Sequence, residues 1–145
     1  MRAKFLLAAM RKSVFVGTLR CMPIRFLIVD DSRSFLEAAR LLLEREGLTI
    51  AGVASNCAEA LQEAEAVGPD VVLVDISLGE ESGFDVARRL VDDGRAGGPT
   101  VILISTHSEA DFADLIAESP AVGFLPKSEL SASAIRRILE ESRER

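Results

Sequence analysis

Three stretches of this chain are apolar at every position: Phe26-Leu27-Ile28-Val29, Val71-Val72-Leu73-Val74 and Val101-Ile102-Leu103-Ile104. A strand with one wet face alternates polar and apolar residues, so strands of this kind are buried on both faces. Helices packed above and below a sheet bury them, and the intervening sequence supplies helices. From Ser32 or Arg33 to Glu46 the apolar positions Phe35, Ala38/Ala39, Leu42 and Leu43 recur at helical spacing, and Gly47 supplies a stop. Leu48 to Ala54 reads as a weaker strand. Asn56 with Glu59 makes a capping-box pattern ahead of Leu61 and Ala64, and Gly68-Pro69 ends that helix. A loop from Ser77 to Ser82 leads to a helix carrying Val86, Ala87, Leu90 and Val91, broken by Gly94 and the Gly97-Gly98-Pro99 turn. Ser108 with Asp111 predicts the start of a fourth helix, with Phe112, Leu115 and Ile116 inward. Ala121 to Leu125 is a short fifth strand, and a last helix from about Ser131 turns Ile135, Ile138 and Leu139 to one side. Five strand–helix units in this order predict an α/β fold, a doubly wound parallel sheet with right-handed crossovers.

In a parallel sheet all C-terminal strand ends share one edge, and ligands bind there. The residues at that edge are Asp30 and Asp31 after the first strand, Asp75 after the third, Ser105 after the fourth and Lys127 just past the fifth. Taken singly, each has a plain reading: an Asp closes a turn or caps a helix, a Ser makes a local turn, a Lys is solvated. Gathered on one edge they make a site. Three close carboxylates repel one another unless a cation sits among them. The candidate ligands are all oxygens, with no His or Cys among them, which points to Mg²⁺, or Mn²⁺ as a substitute. A hydroxyl and an ammonium beside such an ion suit phosphate oxygens. The chemistry is that of phosphoryl transfer to a carboxylate, where positioning and charge neutralisation do most of the catalysis.

Composition narrows the partners. The chain has 145 residues, 48% of them hydrophobic, enough for one domain with a sizeable core. A net charge of −6 argues against direct nucleic-acid binding by this domain. No apolar run approaches the roughly 18 residues of a membrane span. Cys21 and Cys57 are too few for a disulfide framework or a zinc site of their own, and they fit a reduced, cytoplasmic setting. Residues 1–22 hold five basic residues and no acid, leaving −11 on the remainder. That shift marks a boundary. Phe5 to Met10 hints at a secretion signal, but it is short, Arg11 and Lys12 interrupt it, and no cleavage pattern follows. The expectation is a basic N-terminal extension over 1–22, flexible or preceding a true start at Met22, and a folded domain over 23–145.

Four segments together resemble the receiver domain of two-component response regulators: Phe26-Leu27-Ile28-Val29-Asp30-Asp31-Ser32, Val71-Val72-Leu73-Val74-Asp75-Ile76-Ser77-Leu78, Leu103-Ile104-Ser105-Thr106 and Gly123-Phe124-Leu125-Pro126-Lys127. The resemblance covers residue 24 to about 142. It implies a flavodoxin-like (βα)5 sheet of strand order 2-1-3-4-5, in which the first and third strands are neighbours. It also implies roles. Asp75 matches the phosphoacceptor. Asp31 matches the direct metal ligand, Asp30 its partner, and the backbone carbonyl of Ser77 a further ligand to Mg²⁺. Ser105 matches the hydroxyl that bonds the phosphoryl group, and Lys127 the lysine that pairs with acceptor and then phosphate. Phe124 matches the switch aromatic, which turns inward when the hydroxyl moves; lacking a hydroxyl, it needs no polar partner inside. Ser77 and His107 fall where hydrolysis of the phosphorylated form is tuned, though an exposed loop is the plainer reading of His107.

The implied partners are a histidine kinase or phosphotransfer protein and a downstream protein that reads the face of the fourth helix, fifth strand and fifth helix. Homodimerisation is left open. The sequence stops after the last helix; if it is the whole protein, output is expected through that face. The phrase Phe124 to Leu130 also resembles receivers that precede a helix-turn-helix domain, which fits a fragment or a relative that lost its output. Three departures stand out: Gly79 where Pro is common, Thr106 where a smaller residue is usual, and Pro126 before rather than after Lys127. The loop there often holds a cis peptide, here at Lys127–Ser128. Two alternatives compete with a phosphate-signalling receiver. One is a receiver-like scaffold that no longer signals by phosphate. The other is a Mg²⁺-dependent phosphohydrolase with an Asp nucleophile, which would want an Asp where Ser77 stands. A flavin binder is disfavoured because Asp30 and Asp31 would repel a flavin phosphate and the chain has no Trp or Tyr.

Overall fold

The structure is a computed structural model and describes residues 23–91 and 98–144. The expectations for residues 1–22 and for Gly94 and Gly97 lie outside those residues. Five strands form one parallel sheet: β1 (Arg25–Val29), β2 (Thr49–Ala54), β3 (Val71–Asp75), β4 (Thr100–Ser105) and β5 (Gly123–Pro126). Their order is β2-β1-β3-β4-β5, as the resemblance implies. All five residues of β3 and the last five of β4 are buried, whereas on the edge strand β2 buried positions alternate with half-buried ones. The absence of alternation in the sequence therefore marks the interior strands, because only they are covered on both sides.

Helices cover both faces. Leu27, Val29, Val72, Val74, Val101 and Leu103 point to one side, where they meet α2 (Cys57–Val67) and α3 (Gly83–Val91) through Ala60, Phe84, Val86 and Leu90. Phe26, Ile28, Leu73, Ile102 and Ile104 point to the other, against Leu36 and Leu43 of α1 (Arg33–Arg45) and Ile135 of α5 (Ala132–Arg143). The helix starts carry the expected caps: Ser32 accepts from the Phe35 N–H, Asn56 from the Glu59 N–H and Ser131 from the Ala134 N–H. The far end of α1 is tied to α5, since the Ala132 N–H donates to Glu46 Oε1 at 2.7 Å. Among the described residues no helix is long and apolar enough to cross a membrane.

Four local features differ from expectation. The capping box at Asn56 closes one residue early, because Glu59 Oε1 accepts the Ser55 N–H and hydroxyl instead of the Asn56 N–H. The segment after Asp75 is not a plain loop: Ser77–Leu78 pairs antiparallel with Glu81–Ser82, and Gly79 turns the ribbon at φ 66°. The fourth helix is a 3₁₀ turn over Glu109–Phe112 followed by only six residues, α4 (Ala113–Glu118), and neither piece has a fully buried residue. Leu115 is 50% exposed, not inward, and Phe112 and Ile116 alone reach the core, each half-buried. Finally, no described peptide bond is cis, so Lys127–Ser128 is trans.

The join between β3 and α3 is the tightest in the site. A Cβ on Gly83 would lie 2.0 Å from the carbonyl oxygen of Asp75 and 2.8 Å from the Ile76 Cα. Neither can withdraw, because Asp75 belongs to the sheet and the Gly83 N–H donates to the Ile76 carbonyl at 2.7 Å. Gly83→Ala is expected to lower the free energy of unfolding by roughly 1–3 kcal/mol. Urea denaturation checks it, and an unchanged midpoint would contradict the close approach.

Candidate functional site

The register of the sheet assembles the site. Val29 pairs with Val74, so Asp30 and Asp75 each follow one member of the same pair on adjacent strands. Asp30 is fully buried, Asp75 is 5% exposed and Asp31 lies open to solvent. One carboxylate oxygen from each lies within 4.8 Å of the others. Lys127, just past β5, reaches over them: its Nζ stands 2.5 Å from Asp30 Oδ2 and donates to Asp75 Oδ2 at 3.3 Å. The face of the Phe35 ring lies on the lysine as well, with Nζ 4.2 Å from the ring centroid. Asp75 Oδ1 accepts the Ser77 N–H at 3.3 Å, and Asp30 Oδ1 the Ser32 N–H at 2.9 Å.

Sequence reasoning grouped Asp30, Asp31, Asp75 and Lys127, and the structure brings these four together. Ser105 is buried at the same edge, one residue beyond the Asp75–Ile104 pair. Its Oγ accepts the His107 N–H at 3.0 Å, so the hydroxyl is engaged by its own loop. The side chain of Ser77 is exposed, and Gly79 comes close to the acids, its Cβ position lying 3.7 Å from Asp31 Oδ2. His107 is exposed and meets the Phe112 ring edge-on at 5.8 Å. Phe124 is already inward, 8% exposed in the core layer that holds Val101, Leu103 and Phe84. The expected inward turn therefore has no outward starting point here, and the apolar ring tip is the physical reason the inward position is tolerated.

Two residues escaped the sequence reading. Phe35 has the spacing of a core residue, and nothing in that spacing shows that its ring meets Lys127. Glu81 accepts the Cys57 N–H at 2.8 Å, which pins the ribbon after Asp75 to the start of α2 across 24 residues of sequence. The only trace of it in the sequence is an acid in a loop.

The electrostatics are strained without a divalent ion. Burial first, and then the charge of Asp30, raise the Asp75 pKa from 3.8 to about 6; Lys127 and the Ser77 N–H pull the other way and do not win. Asp30 Oδ2 is buried and, although Lys127 is close, it receives no directed hydrogen bond. An orphaned buried carboxylate oxygen beside two further carboxylates fits a hard cation with oxygen ligands, Mg²⁺ above all.

Comparison with known proteins agrees with this geometry. Residues 26–140 match the response regulator receiver domain, and the chain belongs to that family. It is 38% identical over 105 residues to a Pseudomonas aeruginosa protein named as a transcriptional regulator, covering 72% of this chain and 50% of that protein. It is 33% identical over 124 residues to the Bacillus subtilis transcriptional regulatory protein YvfU, covering 83% and 61%. A protein-glutamate methylesterase/protein-glutamine glutaminase of Anaeromyxobacter dehalogenans is 36% identical over 111 residues, and there the chain spans 76% of itself and 31% of the relative. The chain thus spans less than two thirds of each of these relatives. Among solved structures, the signal receiver domain of NarL from Mycobacterium tuberculosis superposes with a TM-score of 0.72 at 27% identity, covering 85% of this chain and 98% of that one. The response regulator domain of Thermotoga maritima CheB gives 0.65 at 25% identity, covering 84% and 95%. The protein is a receiver domain of the two-component response regulators, whose acidic pocket binds Mg²⁺.

The raised Asp75 pKa has a definite sign in stability. Between pH 3.8 and about 6 the folded chain holds a proton that the unfolded chain has released. Stability in a chelator therefore falls as pH rises through that window, and above it the fold carries the ionised group at a cost of about 1–3 kcal/mol. Asp75→Asn is expected to raise the melting temperature in EDTA at pH 7 and to leave it nearly unchanged at pH 4, and Mg²⁺ at pH 7 is expected to raise the wild-type value. Thermal melts at the two pH values check this. An Asn variant no more stable than wild type at pH 7 would contradict the assignment.

Proposed function

We propose that this receiver domain, taken as residues 23–145, accepts a phosphoryl group onto a carboxylate oxygen of Asp75 in a Mg²⁺-dependent reaction, with Mn²⁺ as a substitute. The donor is a histidine kinase or a phosphotransfer protein. The P–N bond of its phosphohistidine breaks, a P–O bond to Asp75 forms, and the imidazole leaves. The single observation that supports this most is the pairing of a buried carboxylate, Asp75, with both a lysine and two further acids at one strand edge. Asp30, Asp31, Asp75 and the Ser77 carbonyl are the residues that would hold the ion. When bound, it offsets the negative charge of the acids and of the incoming phosphoryl oxygens.

The chain's own residues do the rest. Burial keeps water from Asp75, and Lys127, already on Asp75 Oδ2, offers its ammonium to a phosphoryl oxygen as the new bond forms. Ser105 turns about χ1 to reach the same group, and in doing so gives up the His107 N–H that it now accepts. That N–H anchors the loop into α4, the helix with no fully buried residue, so release is felt first on the α4–β5–α5 face. Phe124 keeps that face packed from within. Hydrolysis of the phosphorylated form is tuned at Ser77 and His107. The chain catalyses only its own phosphorylation and dephosphorylation, works in the cytoplasm, and passes its state to a protein partner, itself or another, without touching nucleic acid.

Acetyl phosphate with and without Mg²⁺ tests the reading. We expect a Mg²⁺-dependent, hydroxylamine-labile adduct by intact mass, absent from Asp75→Asn. No adduct on the unmutated chain, an adduct retained in Asp75→Asn, or sustained turnover of small phosphate esters would each overturn it. Ser105→Ala is expected to keep the adduct while losing the amide-shift changes over residues 106–118 that phosphorylation brings in the unmutated chain, as read by two-dimensional NMR.

A further inference from the structure

We propose that Phe35 is a positioning residue for Lys127: the face of its ring holds the ammonium over Asp30 and Asp75 and sets the direction from which the lysine meets the acceptor. The inference rests on the reading of Asp75 as phosphoacceptor.

Phe35 sits in the first turn of α1, and its place there is set. Its own N–H donates to the Ser32 cap at 3.3 Å, and its side chain packs half-buried against the α1/α5 core layer. From that position the ring lies 4.2 Å from Lys127 Nζ. The same nitrogen has Asp30 Oδ2 at 2.5 Å and Asp75 Oδ2 at 3.3 Å. The lysine side chain is only 15% exposed. An ammonium has three N–H directions and, for a group this buried, needs a partner in each. Asp75 Oδ2 accepts one of them, and Asp30 Oδ2 stands beside the nitrogen as its ion-pair partner. Beside them lies the negative face of the Phe35 ring, which attracts a cation without accepting a proton or binding a metal.

A ring there has a use that another acid would not. A third carboxylate would add to the repulsion at Asp30 and Asp75 and compete with them for the lysine. A plain aliphatic side chain would desolvate the ammonium and return nothing. The ring covers the lysine, leaves both carboxylates to it, and leaves it able to follow charge that arrives at Asp75. A four-carbon stem ending in a flexible ammonium otherwise has many rotamers to lose before it can act.

The test separates a ring from mere bulk. Phe35→Leu keeps an apolar side chain of similar reach without a π face, and Phe35→Tyr keeps the face. Lysine side-chain NMR in EDTA is expected to show the Lys127 Hε protons shifted upfield by the ring in wild type and Phe35→Tyr, and at the ordinary lysine position in Phe35→Leu. With Mg²⁺ and saturating acetyl phosphate, the rate of Asp75 labelling is expected to fall about 3–10-fold in Phe35→Leu and to recover in Phe35→Tyr, with half-saturation unchanged. Thermal melts confirm that each variant is folded. A Lys127 shift or a labelling rate in Phe35→Leu equal to wild type would overturn the proposal, as would a Phe35→Tyr variant as slow as Phe35→Leu. Failure of the wild type to be labelled would overturn the phosphoacceptor reading instead, while the lysine shift would still report on the ring contact.

Discussion

Repulsion between two buried carboxylates is the constraint around which the rest of this molecule is arranged. Parallel pairing of β1 with β3 leaves Asp30 and Asp75 side by side at the sheet edge. Both are almost wholly withdrawn from water, where a charge is least tolerable. Two adjustments relieve the conflict. A lysine from the opposite end of the chain covers the pair, and Asp75 retains affinity for a proton well above the usual carboxylate range. The frustration is local and sits where chemistry is done, a common place for a fold to depart from its own best stability.

Much of this could be read in the sequence because burial and topology leave strong marks there. Unbroken apolar runs can only be covered strands, and parallel strands must present their last residues on one edge, so Asp30, Asp31, Asp75 and Ser105 could be placed together before any coordinates. What escaped depends on distance rather than pattern. The same periodicity describes Phe35 whether its ring meets a leucine or a lysine. Glu81 capping Cys57 joins a ribbon and a helix start that share no motif. The weakness of α4 was hidden because apolar residues at 112, 115 and 116 look like an inward stripe, yet a helix of six residues cannot bring all of them to the core. The switch role expected of Phe124 rests on a resemblance, and its present inward position was not legible, since a sequence carries no record of rotamer.

The two helices on either side of β4 differ sharply in how they are held. Gly83, Phe84, Val86, Ala87 and Leu90 of α3 are buried, and the glycine is pressed against the backbone of Asp75. On α4 nothing is fully buried, and the loop leading into it is fastened by the Ser105 hydroxyl, by the Ser108 carbonyl accepting the Asp111 N–H, and by the Phe112 ring against His107 and Phe84. Local stability follows such differences in burial and fastening. Any rearrangement that begins at the acid edge therefore meets stiff resistance toward α3 and little toward α4.

The order in which the chain is synthesised gives the lysine a further consequence. Lys127 follows Asp75 by 52 residues, and the α5 amide that satisfies Glu46 lies 86 residues beyond it. On the ribosome the first three strands emerge with the acid pair complete and its counter-charge still to be made. Closing the acid edge therefore depends on contacts of long sequence separation, the kind that are slow to form.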